Sequence, residues 1–227
     1  MMSAVGRLAI ALALAACVAE AGIATTQQER PAGSGQAHGR LFPPQDLGLL
    51  EGPDRDAWQR PDEVMDALGI ADGATVADLG AGGGWFTIRL ARRVGPNGIV
   101  YAEDVQPEMI EAITRRVERE GLTNVKPVLG APTNPRLPEA ALDAVLIVGV
   151  YNEMEDPVAL LRNVGVALKP RGRLGIVDFT QEGFGPGPSM EERVKPERIV
   201  TDAQAAGLKL IAKESFLRYQ YLLVFAR

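Results

Sequence analysis

The chain has 227 residues, of which 46% are apolar and 23% charged, with a formal net charge of -5. That length and balance suit one folded domain with extra sequence at an end, long enough for a sizeable core. The negative balance, without a clustered basic excess, argues against a nucleic-acid surface, so no nucleic-acid partner is expected.

The N-terminus comes first. Arg7 precedes the apolar run LAIALALAA, and Cys17, the only cysteine, follows directly. A short basic region before an apolar stretch too short to span a bilayer has the layout of a bacterial export signal. Leu14-Ala15-Ala16-Cys17 also looks like a lipobox, where bacterial lipoproteins are cleaved and acylated on the new N-terminal cysteine. Residues 1–17 are therefore expected to be a signal peptide, with a membrane tether through Cys17 and a periplasmic or membrane-anchored location. A plain secretory signal, or a misassigned start on a cytoplasmic protein, is the competing reading. Residues 18–45 are rich in Gly, Ala, Gln and Ser and read as a flexible tether, leaving a domain over 46–227. The single histidine, His38, falls in that tether and is given no role.

From Pro61 the punctuation becomes regular. Pro61-Asp62-Glu63 starts a helix that ends near Gly69. Thr75 to Leu79 reads as a buried strand, and Trp85 to Val94 as a helix. Gly98 to Ala102 makes a second strand that runs into Glu103-Asp104. A helix opens at Pro107, with Ile110, Ile113 and Val117 as its apolar stripe, and Gly121 follows it. Val125 to Leu129 and Leu142 to Val148 are the next strands. A helix from Asp156-Pro157 carries Leu160, Leu161, Val164 and Leu168, and Arg173 to Phe179 is a fifth strand. After a helix over Pro196 to Ala206, the runs Leu208 to Ser215 and Tyr219 to Ala226 lie too close together for a helical crossover. They are expected to pair antiparallel. The alternation predicts an α/β, Rossmann-like, doubly wound, mostly parallel sheet of seven strands, with an antiparallel C-terminal pair.

The loop in TVADLGAGGGWFT raises the question of a ligand. A dinucleotide fingerprint needs Gly or Ala at its last position, and here Trp85 or Thr87 stands there. A P-loop needs a lysine, and the loop has none. Asp78, just before the glycines, would repel a pyrophosphate and attract an ammonium. Asp104 ends the second strand about two dozen residues later, where a carboxylate accepts the hydroxyls of a ribose. A nucleoside carrying an amino acid satisfies both, and S-adenosylmethionine is such a molecule. A tight strand-to-helix turn with no ligand is the bland alternative.

Asp78-Leu79-Gly80-Ala81-Gly82-Gly83-Gly84 resembles the first motif of class I S-adenosylmethionine-dependent methyltransferases. Tyr101-Ala102-Glu103-Asp104 looks like their second strand, and Leu168-Lys169-Pro170-Arg171-Gly172-Arg173-Leu174 like the turn before their fifth. The likeness covers roughly Trp58 to Arg227 and leans toward small-molecule enzymes of the group that includes the quinone C-methyltransferases. It implies S-adenosylmethionine as cofactor and no metal. Backbone amides at Gly80, Gly82 and Gly84 would approach its methionine part, Asp78 would take the ammonium and Asp104 the ribose. Val105 would lie on the adenine. Many relatives have an acid after the third strand, whereas here, with Gly130-Ala131, the contact to the adenine amine is by backbone or absent.

Gly149-Val150-Tyr151-Asn152-Glu153 follows the fourth strand and should face the transferred methyl. Related sequences often have His where Asn152 stands, and an amide cannot act as a base near neutral pH. Candidate catalytic groups are then Glu153 and Asp178, with Tyr151 as an orienting hydroxyl. For Glu153 a helix-start role is as plausible as a substrate role, and for Asp178 a loop-capping role. Trp58, Tyr151, Asn152 and Phe184 are the candidate substrate contacts, and Arg60 would reach the cofactor carboxylate or pair with Asp62 or Glu63. The expected function is methyl transfer to a small molecule. The alternative is a non-catalytic S-adenosylmethionine- or nucleoside-binding protein at the membrane, with Asn152 marking lost chemistry. Neither the substrate nor the oligomeric state follows from the sequence.

Overall fold

The structure, a computed structural model, describes residues 40–183 and 185–227. The expected signal peptide with Cys17, most of the tether with His38, and Phe184 lie outside the described residues.

Seven strands form one sheet: β1 (Thr75–Leu79), β2 (Ile99–Asp104), β3 (Val125–Leu129), β4 (Leu142–Val148), β5 (Leu168–Phe179), β6 (Lys209–Glu214) and β7 (Gln220–Ala226). Their order is β3-β2-β1-β4-β5-β7-β6. The first five run parallel, while β7 inserts antiparallel between β5 and β6. The expected fold class is thus observed. The helices are α1 (Arg55–Gln59), α2 (Pro61–Ala67), α3 (Trp85–Val94), α4 (Pro107–Arg119), α5 (Pro157–Ala167) and α6 (Pro196–Ala205).

Because side chains alternate along a strand, each central strand feeds two cores. Val76, Val100, Ala144, Leu146, Val177, Leu222 and Val224 pack under α2 and α3. Ala77, Leu79, Val145, Ile147, Leu174, Ile176 and Phe225 pack under α5 and α6. Pro at the first turn opens α2, α4, α5 and α6, where its missing N–H costs nothing. In α5 the Asp156 carboxylate also caps the amide of Ala159 at 2.9 Å.

Two stretches differ from expectation. The LKPRG turn is part of β5, whose register against β4 jumps from Leu142–Leu168 to Ala144–Arg173 and so bulges out Lys169 to Gly172. A Cβ on Gly172 would lie 2.7 Å from the Leu142 carbonyl, so the bulge requires glycine. Upstream, the tether boundary expected at 45 falls inside ordered structure. Pro44–Leu50 is a 3₁₀ turn, and Leu41 and Phe42 already lie against the cleft described next.

Candidate functional site

A cavity of about 610 Å³ opens at the carboxyl ends of β1, β2 and β4 and extends to β5 and β7. That is where ligands bind in open parallel sheets, and the volume suits a small-molecule site.

The cofactor end is built on the turn between β1 and α3. Gly80 and Gly82 have φ of +70° and +53°, in the left-handed region. At Gly80 a Cβ would also lie 2.8 Å from Val150 Cγ2. This turn exposes the amide of Gly82, which donates to Asp104 Oδ2 at 3.0 Å, while the amide of Gln106 donates to Asp104 Oδ1 at 3.0 Å. A carboxylate has about four acceptor positions. Two are used in pinning Asp104, which leaves others for a pair of ligand hydroxyls. Asp78 accepts from the Thr87 hydroxyl at 2.7 Å. It is buried, and burial pushes its pKa up to about 6 against that hydrogen bond and the nearby Arg55.

Asp104 and Glu103 are consecutive, so they flank the end of β2 from opposite faces of the sheet. Burial, then the charge of Asp104, lifts Glu103 to about 8. Burial raises Asp104 as well, against its amide bonds. Val105 and Ala131 line the same cavity.

The sequence-predicted residues do not all converge. Gly84 and Gly130 are not part of the cavity wall. At Gly84 (φ +78°) a Cβ would meet Ile113, Thr87 and Arg116 at 3.6–3.7 Å, so its glycine serves the entry into α3. At Gly130 a Cβ would collide with Glu103 Oε1; this glycine makes room for that carboxyl. Arg60 stays out of the cavity. It pairs with Glu63, and its Nη1 donates to the Phe216 carbonyl at 2.6 Å. The arginine that does enter is Arg55, on α1. Its guanidinium lies 4.1 Å from the Trp85 ring centroid, donates to the Leu50 carbonyl and feels the charge of Asp78. Burial lowers its pKa to about 10, so it stays cationic near neutrality.

At the other end of the cavity Gly149, Asn152 and Glu153 line the wall after β4. Glu153 Oε2 accepts from the amide of Phe42 at 2.8 Å, and burial raises its pKa to about 7. The Phe42 carbonyl in turn accepts from Gln106 Nε2 at 3.1 Å. The backbone at Phe42 therefore straps the cleft from the β2 end to the β4 end. Trp58 lines the wall and packs on Phe179 and Tyr219 with ring centroids 6.2 and 6.3 Å away.

Tyr151 and Asp178 point elsewhere, which corrects their expected place at the reacting group. Neither belongs to the cavity wall. Tyr151 donates to Asp202 Oδ2 at 3.0 Å within the α5/α6 core, and burial beside Asp202 raises its pKa. Asp178 pairs in register with Tyr221, caps the Phe179 amide at 2.7 Å, and is pushed by burial to about 7. Strand alternation decides this: Phe179 faces the cleft, so its neighbour Asp178 faces away.

Four wall residues escaped sequence reasoning: Arg55, Glu103 and the buried pair Gln59 and Gln220, whose side chains meet at 2.8 Å. The acidic doublet at 103–104 was visible, but which member faces which side needed the sheet. Nothing in the sequence links Gln59 to a residue 161 positions away.

Comparison with known proteins agrees with this geometry. Residues 76–172 match a family model described as a methyltransferase domain. A ubiquinone/menaquinone biosynthesis C-methyltransferase of Pasteurella multocida is 30% identical over 130 residues, covering 57% of this chain and 48% of that protein. An uncharacterized methyltransferase of Mycobacterium bovis is 34% identical over 143 residues, 60% of this chain and 55% of that protein. The matches thus span about half the length of these relatives. A crystal structure of a SAM-dependent methyltransferase from Aquifex aeolicus superposes with a TM-score of 0.78 at 28% identity. It covers 82% of this chain and 98% of its own. The fold is the Rossmann-like methyltransferase fold, and the cofactor that fold and relatives imply is S-adenosylmethionine. The residues present fit it: an acid at Asp78 for an ammonium, Arg55 for a carboxylate, and a pinned Asp104 for ribose hydroxyls.

Proposed function

We propose that this chain transfers the methyl group of S-adenosylmethionine to a small, largely apolar substrate. One observation carries the reading: a single cavity holds Asp78, Gly80, Gly82 and Asp104 at one end and the buried carboxyl of Glu153 at the other. When bound, the cofactor supplies an electrophilic methyl on a sulfonium that is already a good leaving group. What remains for the protein is alignment, exclusion of water and, where the nucleophile is protonated, a base.

Gly82, Asp104, Asp78 and Arg55 would hold the cofactor. The strap at Phe42 and the apolar wall keep water from the reacting end. Where the substrate nucleophile is protonated, Glu153 would accept its proton. A carboxyl lifted to about 7 is suited to this, because it is ionised in part near neutrality and basic enough to hold the proton. With Glu153 in the wall, Asn152 does not leave the site without a base, which favours turnover over a purely binding role.

Export and acylation at Cys17 are part of the proposal, supported by the basic residue, apolar run and lipobox-like end. Among the described residues no helix is long and apolar enough to cross a membrane. The mass of the mature N-terminus distinguishes a lipidated Cys17 from a plain cleaved signal or an intact leader.

The functional test is calorimetric titration with S-adenosylmethionine and S-adenosylhomocysteine, followed by a search for S-adenosylhomocysteine release with panels of small hydroxylated and carbonyl compounds. Binding of both ligands and release with one compound class are expected. Well-folded protein that binds neither ligand would refute the reading.

A further inference from the structure

A line of three side chains runs along the cavity wall from Arg55, at the cofactor end, to two glutamines that the methyl-transfer chemistry does not use. Arg55 Nε donates to Gln59 Oε1 at 2.6 Å, and Gln59 Nε2 donates to Gln220 Oε1 at 2.8 Å. Gln59 and Gln220 are 1% and 2% exposed, and both belong to the cavity wall. The line ends at Gln220 Nε2, which is buried and has no hydrogen-bond partner among the described residues.

A glutamine amide can normally be turned over, exchanging donor for acceptor. Here it cannot. A guanidinium only donates, so the Gln59 oxygen must face Arg55. The Gln59 NH₂ must then face Gln220, whose oxygen must turn toward it. Arg55 is itself fixed, stacked on Trp85 and bonded to the Leu50 carbonyl. The free end of the relay is therefore a donor.

A buried donor without a partner costs roughly five- to 160-fold in an equilibrium constant. Gln220 lines the cavity, and a small shift of its side chain brings that donor to a ligand atom that accepts. Its surroundings are flat and apolar. Gln220 sits in register beside Phe179, against which Trp58 packs. Pro186 and Pro188 line the same wall, and a Cβ on Gly187 between them would touch the Phe179 ring at 2.5 Å. Gly149, at the end of β4, would place a Cβ 3.4 Å from that ring.

We propose that Gln220 is the specificity residue of the substrate end, held as a donor by Gln59 and Arg55, and that it selects a ring-sized apolar molecule bearing a carbonyl or deprotonated hydroxyl oxygen. The inference rests on the methyl-transfer reading for what the ligand is used for, and on the relay for what the ligand must carry. A molecule of the same shape with only an N–H at that position is rejected, because two donors then face each other.

Three bicyclic probes of similar size test this on the full chain by ligand-observed NMR titration: 1-indanone, which accepts, indole, which donates, and indane, which does neither. 1-Indanone is expected to bind about tenfold more tightly than indane. Indole should bind no better than indane, and Gln220→Leu should erase the 1-indanone preference. Should Gln220→Leu fold poorly, as judged by its melting curve, the side-chain amide signal of Gln220 in the parent protein decides. It should shift with 1-indanone and not with indane. Equal binding of the three probes, binding of none, preference for indole, or a preference surviving in Gln220→Leu would overturn the proposal. S-adenosylhomocysteine titrated into the same samples separates the two claims. If it binds while 1-indanone shows no preference, only the substrate inference fails. If 1-indanone is preferred and S-adenosylhomocysteine does not bind, the methyltransferase reading fails and the subsite stands.

Discussion

The two ends of the cleft are made of opposite materials. At the β1/β2 end, Asp78, Glu103 and Asp104 are packed into a small space and restrained by backbone amides and the Thr87 hydroxyl. At the β5/β7 end, aromatic rings and a neutral amide relay form the wall. Burial raises the pKa of each of these three acids, so that end gains most from a ligand that brings positive charge. The second end gains from apolar area and one well-placed oxygen. A site divided in this way can keep one cofactor while its other wall is refitted for different substrates. Arg55 belongs to both ends, facing Asp78 with its charge and Gln59 with its Nε.

The largest effect is expected at the wall after β4. Glu153→Gln should lower the rate of S-adenosylhomocysteine release by about 10²–10⁴ for any substrate whose nucleophile loses a proton. Calorimetric affinity for the cofactor should stay within about twofold. A rate that does not change would remove the base from Glu153.

Asp104→Ala should weaken S-adenosylhomocysteine binding by roughly a hundredfold, since bonds to a charged group contribute about 1.5–3 kcal/mol each. The 1-indanone preference should survive, which sharpens the division between the ends. Arg55→Met is the variant that breaks it. Cofactor affinity should fall by about tenfold, consistent with loss of one charged partner. The preference for 1-indanone over indole should also vanish, because Gln59 and Gln220 are then free to turn.

The smallest effect is on stability. Glu103 and Asp78 have folded-state pKa values of about 8 and 6, above the ordinary carboxyl range, because burial favours their neutral forms. Their contribution is fully present below about pH 4 and is lost as pH rises through 6 and then 8. Differential scanning fluorimetry of the ligand-free protein should show Tm falling across that window by on the order of 4–8 °C, about 2 kcal/mol for a chain of this size. Glu103→Gln should flatten the upper part of the fall. A Tm that climbs from pH 6 to 8.5 would contradict the assigned burial.

Contrast between the two ends also explains what could be read from sequence. The cofactor end is written in two short stretches, 75–87 and 101–106, because a strand, its turn and the next helix start are neighbours in the chain. Asp78, Gly80, Gly82, Asp104 and Val105 all line the cavity as their positions in those stretches suggested. The sheet was legible for the same local reason, including the antiparallel pair. The β5/β7 end is assembled from α1, β5 and β7, and its contacts join residues more than a hundred positions apart. Proximity to a strand end was therefore a poor guide to direction: Asp178 and Tyr151 lie near the right strands and turn to the opposite core. Glu103 hid behind Asp104, since one doublet supplies both faces of β2.

Strand β7 is synthesised after both of the strands it joins. On a ribosome, β5 and β6 emerge with their facing edges open, each presenting unpaired amides and carbonyls of the kind that recruit foreign strands. Gln220 is the first residue of the strand that fills that gap. The event that removes the aggregation hazard from the nascent sheet is thus also the one that delivers the amide to the cleft, and a chain unable to recognise its substrate is by the same defect a chain exposed to chaperones and proteases.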